Sequence, residues 1–253
     1  MQLIDTHCHL QFEKLAEDEK GVIERAATAG VNKMICVGTS IEDSYQCLVF
    51  ATRIANVWAS AGAHPHDGKD FPVDGATQLQ ELLKADKMVA VGEIGLDYYK
   101  DYSPCEDQQR ILRLQIEAGL PSGLPFIFHI RDGWDDFWPI YDSFPEIHGV
   151  VHSFSASQKE LDEILKRGLY VGLNGIMTFT KDEHQLAAAK AVPLEKLLLE
   201  TDAPFLAPQG HRGQTCEPKH IKDIAEFLAN LRGESLEELS AATTKNAEEL
   251  FKI

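Results

Sequence analysis

Leu3-Ile4-Asp5-Thr6-His7-Cys8-His9 is the stretch from which the rest of the chain can be read. Side chains along a strand alternate between its two faces, so Asp5, His7 and His9 share one side. Two imidazoles spaced this way on rigid backbone aim their lone pairs in one direction, which is what a divalent ion requires. A chance pair of histidines on a surface strand is the plain alternative, and the remaining sequence weighs against it.

Outward from this stretch, short apolar runs recur at Lys33–Gly38, Val57–Gly62, Lys87–Glu93, Phe126–His129, Gly149–His152, Leu169–Gly172 and Leu197–Thr201. Between them the apolar positions take helical spacing. Val22, Ile23, Ala26 and Ala27 lead to Gly30, and residues 42–54, 77–84, 105–119, 133–142 and 182–190 predict further helices. Capping boxes at Ser157-x-x-Glu160 and Ser235-x-x-Glu238 open two more, and 217–231 is helical before the last, 235–251. Thr243-Thr244 predicts a break in that last helix, with Asn246 capping a final turn.

Eight strands, about 20 to 37 residues apart with helices between them, have the cadence of a (β/α)8 TIM barrel. An open doubly wound sheet is the competitor, but no G-x-G-x-x-G follows the first strand. The length of 253 residues suits one such barrel. No shift in composition marks a second domain, so 1–253 reads as a single domain.

Apolar residues at 44% and charged residues at 25% are ordinary for a globular protein. The chain opens without a basic and apolar leader, and no apolar run reaches the ~20 residues of a membrane helix, so a cytoplasmic location without a membrane partner is expected. The five cysteines are scattered and form no C-x-x-C, which fits reduced thiols. A net charge of −16 argues against tight binding to a polyanion. An anionic substrate would have to be attracted locally, and two divalent ions would return about four charges at the site.

Ends of the predicted strands carry His7, His9, His64, Glu93, His129, His152 and Asp202. Each alone is ordinarily a loop or helix cap. In a barrel these ends converge, and there uncompensated carboxylates and imidazoles would repel or stay unsatisfied unless cations joined them. Five imidazoles and two carboxylates are too many for one tetrahedral ion; they suit two ions about 3.5–4 Å apart with one carboxylate shared. Glu93, flanked by Gly92 and followed by Gly95, is the candidate for that bridge. Arg131 and Arg212 could offer guanidinium forks to phosphate, with ordinary loop contacts as the alternative. Tyr98 and Tyr99 could stack a base or simply pack, and Trp134 and Trp138, four apart on a helix, read as packing.

Several blocks together resemble the TatD family of metal-dependent deoxyribonucleases, within the amidohydrolase-like barrels, over essentially the whole chain. They are Asp5-Thr6-His7-Cys8-His9, Gly62-Ala63-His64-Pro65, Val91-Gly92-Glu93-Ile94-Gly95-Leu96-Asp97-Tyr98-Tyr99, His129-Ile130-Arg131-Asp132, His152-Ser153-Phe154-Ser155, Glu200-Thr201-Asp202-Ala203-Pro204-Phe205-Leu206-Ala207-Pro208, His211-Arg212-Gly213 and Thr243-Thr244-x-Asn246-Ala247. The Gly-Glu-x-Gly-Leu-Asp and Glu-Thr-Asp-x-Pro blocks are the specific ones. The resemblance implies that His7, His9 and Asp202 hold one metal, His129 and His152 a second, and that Glu93 bridges them. Glu93 and Asp202 would then be catalytic, Asp202 orienting or deprotonating the attacking water, and His64 would contact the phosphate. It also implies DNA as a substrate rather than a tight partner, with 3′-5′ attack on single strands. Mg²⁺ or Mn²⁺ suits phosphate chemistry, while the histidines could trap Zn²⁺ or Ni²⁺ on purification. Cys216-Glu217-Pro218, where the family has Asn-Glu-Pro, and Gly133, where it has Ala, depart from the pattern at positions that touch no expected ligand.

Three alternatives stand beside this reading. A small-molecule amidohydrolase shares the barrel and the His-x-His opening, but its bridge is generally a carbamylated Lys at the end of strand four. Here Glu93 holds that place and Lys87 lies six residues earlier. An aminoacyl-tRNA deacylase could use the same metals. A non-catalytic binding barrel would be expected to lack a ligand, and the sequence supplies the full set. No obligatory protein partner is indicated.

Overall fold

The computed structural model describes residues 2–145 and 147–253. Its eight strands follow one another in chain order in a single sheet: β1 (Leu3–Cys8), β2 (Val31–Val37), β3 (Val57–Ala61), β4 (Met88–Asp97), β5 (Phe126–Arg131), β6 (Gly149–Val151), β7 (Tyr170–Leu173) and β8 (Leu197–Leu199). Helices alternate with the strands, and the fold is the expected (β/α)8 barrel of parallel strands. Two compact units can be distinguished: His152–Ile253 together with the chain up to Cys36, and Val37–Val151.

The first unit is organised around β1, whose six residues are all buried. On one side β1 pairs with β2, Leu3 opposite Val31 and Cys8 opposite Cys36. On the other side it meets the β8 segment: the Thr6 hydroxyl donates to the Leu199 carbonyl at 3.0 Å, and the Asp202 amide donates to the His7 carbonyl at 2.8 Å. The His9 amide donates to the Ala203 carbonyl at 2.7 Å. These bonds fix where His7, His9 and Asp202 emerge, because buried backbone donors and acceptors must find partners. β7 and β8 pair from Val171–Leu197 to Leu173–Leu199.

The last helix, Leu236–Phe251, runs without the break expected at Thr243-Thr244. The Thr243 hydroxyl donates back to the Leu239 carbonyl at 2.9 Å, a bond that lets threonine stay within a helix. Asn246 is not a cap. Its side-chain amide donates to the carbonyls of Leu194 and Leu197 at 2.8 and 2.9 Å, tying the helix to the start of β8. Both expected capping boxes are present, at Ser157 with Glu160 and at Ser235 with Glu238.

In the second unit β3 pairs with β4, β4 with β5 and β5 with β6. The aromatic core of Phe126, Phe128 and Phe137 is fully buried. Strand β4 does not stop at Glu93 but continues to Asp97, with Gly95 opposite His129 and Asp97 opposite Arg131. A Cβ at Gly95 would collide with the His129 carbonyl oxygen, so glycine is what allows the two strands to stay paired there. The consequence is that Asp97 is carried as a buried strand residue beside β5.

Candidate metal centre

In the first unit His7, His9 and Asp202 each present a donor atom, and these atoms lie within 4.8 Å of one another. Asp202 Oδ1 stands 3.3 Å from His9 Nε2 and 3.7 Å from His7 Nε2. The His152 ring is stacked on that of His7, with centroids 3.9 Å apart. Asp202 adopts φ +59°, a left-handed conformation uncommon outside glycine and characteristic of functional loops. Burial pushes the Asp202 carboxyl up, but the His9 hydrogen bond and the charges of His7, His9 and His152 outweigh it and hold the group below its ordinary value.

Two further carboxylates brace this cluster. Asp5 is fully buried, accepts from the Thr201 amide at 2.9 Å and hydroxyl at 2.6 Å, and receives the His7 amide at 3.3 Å. Burial pushes its carboxyl up to about 7 against the pull of those bonds. Glu200 Oε1 accepts from the Ser153 amide at 2.6 Å and lies 3.5 Å from His152 Nδ1. A Cβ at residue 172 would strike the Glu200 carboxylate, so Gly172 makes room for it.

In the second unit His64, Glu93 and His129 form a comparable group, again with donor atoms within 4.8 Å. Glu93 Oε1 is 2.8 Å from His129 Nδ1 and 3.6 Å from His64 Nε2. On the far side of its ring His129 Nε2 lies 3.2 Å from Asp97 Oδ2, which also meets His66 Nε2 at 2.9 Å. The other Asp97 oxygen accepts from the amides of Tyr99 and Lys100 at 3.0 and 3.2 Å. Burial pushes the Asp97 carboxyl up, but the hydrogen bonds of His129 and His66 prevail and hold it far below the carboxylate range. His64 caps the short turn Pro65–Asp70 by accepting the His66 amide on Nδ1 at 3.1 Å, which places the proton of a neutral ring on Nε2.

Of the expected substrate residues, Arg131 ends β5 with its guanidinium 3.6 Å from the centroid of the Tyr99 ring. Arg212 lies 3.9 Å over the Phe179 ring and donates to the Ala207 carbonyl at 3.0 Å. Trp134 and Trp138 pack together, centroids 5.9 Å apart. Sequence reasoning gave no role to Asp97, Glu200, Asp5 or His66. Asp97 and Glu200 sit inside the quoted Gly-Leu-Asp and Glu-Thr-Asp blocks, and buried acids in such company were the available signal.

Imidazoles and carboxylates gathered at the C-terminal ends of parallel barrel strands define a metal-dependent hydrolase barrel. Comparison with known proteins gives the family. The sequence model of the "TatD related DNase" family matches residues 4–252. The chain is 34% identical over 253 residues to the uncharacterized metal-dependent hydrolase YabD of Bacillus subtilis, covering 99% of each. It is 33% identical over 261 residues to the 3'-5' ssDNA/RNA exonuclease TatD of Citrobacter rodentium, covering 99% of this chain and 98% of the relative. The crystal structure of YJJV, a TatD homolog from Escherichia coli K12, matches with a TM-score of 0.94 at 33% identity, covering 99% of this chain and 98% of that one. The chain belongs to the TatD-related DNase family, and is a metal-dependent hydrolase acting on ester bonds. Among the described residues no helix is long and apolar enough to cross a membrane.

Proposed function

We propose that this enzyme removes nucleotides from the 3′ end of single-stranded nucleic acid by hydrolysing phosphodiester bonds, using two divalent ions. His7, His9 and Asp202 would hold one ion, His129 and His152 the other, with Glu93 shared. The chemistry of the donors fits such ions: the imidazole nitrogens of His7 and His9 and a carboxylate oxygen of Asp202 lie within 4.8 Å of one another, and Glu93 stands 2.8 Å from His129. When bound, Mg²⁺ or Mn²⁺ would polarise the phosphate and lower the pKa of a bound water.

The chain's own residues then have separate tasks. Asp202, kept ionised by its histidines, accepts a hydrogen bond from the attacking water and orients it. His64, with its proton on Nε2, is a donor suited to a phosphate oxygen rather than a metal ligand. Asp97 holds the Nε2 side of the His129 ring and leaves Nδ1 facing Glu93, so the lone pair of a ligand stays aimed. Arg131 and Arg212, each set against an aromatic ring, would offer guanidinium donors to phosphates of the bound strand.

The observation that carries this reading is the meeting of His7, His9 and Asp202, three donors from opposite ends of a chain that aligns almost end to end with a named exonuclease. The test is a time course on 5′-labelled single strands with Mg²⁺ or Mn²⁺, with EDTA, and beside dihydroorotate, hydantoin and an aminoacyl-tRNA ester. A ladder of products shortened from the 3′ end, silenced by EDTA, is expected. Turnover of a cyclic amide or an aminoacyl ester with none of DNA would overturn the assignment.

A further inference from the structure

Next to the His7, His9 and Asp202 cluster stands an exposed aromatic ring that metal binding leaves unexplained. Phe205 follows Asp202 by three residues, and its amide donates to the Asp202 carbonyl at 2.8 Å, so the ligand loop itself sets the position of the ring. Phe205 is nonetheless 48% exposed, among the few large apolar side chains left open to water. A lone exposed apolar side chain is ordinary on a protein surface, but this one belongs to the ligand loop itself and touches the His9 ring.

The neighbours of Phe205 are aromatic and ordered. Phe12 is half-buried and stacks on the His9 ring, centroids 4.8 Å apart and planes 13° from parallel. Phe205 is T-shaped to both, 6.1 Å from the His9 centroid at 65° and 6.0 Å from that of Phe12 at 78°. T-shaped contacts are a geometry aromatic pairs prefer, and they leave about half of the Phe205 surface open to solvent. The backbone just beyond is also constrained, with Leu206 at φ +53° and the Cys216 amide donating to the Pro204 carbonyl at 3.1 Å.

We propose that Phe205 is a specificity-determining residue whose exposed ring stacks the nucleobase of the nucleotide undergoing cleavage, while the cluster three residues earlier engages its phosphate. This rests on the phosphodiesterase reading above and deepens it. The ring lies 6.1 Å from that of His9, one of the cluster's own donors, and stacking on an aromatic ring is tolerant of base identity. It also answers the charge problem, because a protein of net charge −16 gains little from general attraction to a polyanion and needs a local apolar grip. Any nucleobase is accepted, but a base must be present.

The experiment compares an ordinary single-stranded oligonucleotide with one whose 3′-terminal residues are abasic, for the wild type, Phe205→Ala, Phe205→Leu and Phe205→Trp. The wild type should favour the base-bearing strand through KM. Phe205→Ala should raise KM for that strand about ten- to a hundredfold, the range that stacking one base supports, and so erase the preference. Phe205→Leu keeps an apolar contact for Phe12 without a π face and should behave like Phe205→Ala, whereas Phe205→Trp should restore the preference. A terminal 2-aminopurine, bound in the Asp202→Asn background to prevent turnover, should be quenched with Phe205 or Trp in place and not with Ala. An unchanged base-to-abasic ratio in Phe205→Ala would overturn the stacking role while leaving the nuclease reading intact. Failure of the metal-loaded wild type to cut either strand would remove both.

Discussion

The carboxylates that support the two donor clusters do so in different ways. In the unit carrying β1 and β8, Asp5 takes the amides of Thr201 and His7 together with the Thr201 hydroxyl, and Glu200 takes the amide of Ser153 at 2.6 Å with the His152 ring further off at 3.5 Å. They hold strand ends in place, and the ligands follow. In the unit Val37–Val151, Asp97 binds rings directly, meeting His129 and His66 with one oxygen while backbone amides anchor the other. One cluster is built by fixing the chain and the other by fixing the side chain. The first kind of support should show itself in stability and the second in metal affinity.

Several substitutions can break or sharpen that contrast. The largest effect belongs to Asp202→Asn, which replaces the carboxylate shared by His7 and His9. Phosphodiester turnover should fall about 10²–10⁴-fold with the melting temperature little changed, and steady-state rates within tenfold of the wild type would show that Asp202 has no part in the chemistry. Asp97→Asn comes next. Losing the ring brace of a metal-ligating histidine typically costs about 10- to 100-fold in metal affinity or activity, so calorimetric metal titration should weaken by that factor at nearly constant Tm. A collapse in Tm with unaltered affinity would place Asp97 among the backbone supports instead.

Asp5→Ala should show the reverse balance. It leaves the buried Thr201 amide and hydroxyl without their acceptor, a loss of about 1–3 kcal/mol. At about 2–4 °C per kcal/mol for a chain of this size, thermal melting should register it as a clear drop. Metal affinity measured well below the melting transition should change less than in Asp97→Asn.

The smallest effect concerns a histidine outside both clusters. Burial, helped by the charges of His211 and Lys219, pushes His220 down from the ordinary 6.5 to about 4. The folded state therefore binds fewer protons than the unfolded chain between those values, and stability present above about pH 6.5 is lost as the pH falls toward 4. His220→Asn keeps an acceptor for the Glu217 amide, which His220 Nδ1 now receives at 3.0 Å. Its melting temperature should match the wild type at pH 8 and fall less steeply on acidification. An identical acid limb would mean that other groups control it.

The strands and the histidine and carboxylate pattern were readable because apolar runs and polar strand ends are local features of sequence. His7, His9 and Asp202, read from the sequence as one ligand set, lie within 4.8 Å of one another, although almost two hundred residues separate them. Asp97 was passed over because Gly92 and Gly95 look like the end of a strand, whereas pairing with β5 carries the chain through them. Thr243 and Asn246 misled in the same sense. Threonine and asparagine disfavour helix interiors in isolation, but here their side chains are satisfied by Leu239, Leu194 and Leu197. Supports such as Glu200 depend on contacts made only after folding, and adjacency to Asp202 in sequence does not reveal which amide its carboxylate will take.

The most direct test of the account is the number of divalent ions held per chain by the active enzyme, measured by elemental analysis after equilibrium dialysis against Mn²⁺. Two ions should be found in the wild type and one each in His9→Ala and His129→Ala. A single ion in the fully active wild type, or two in either variant, would contradict it.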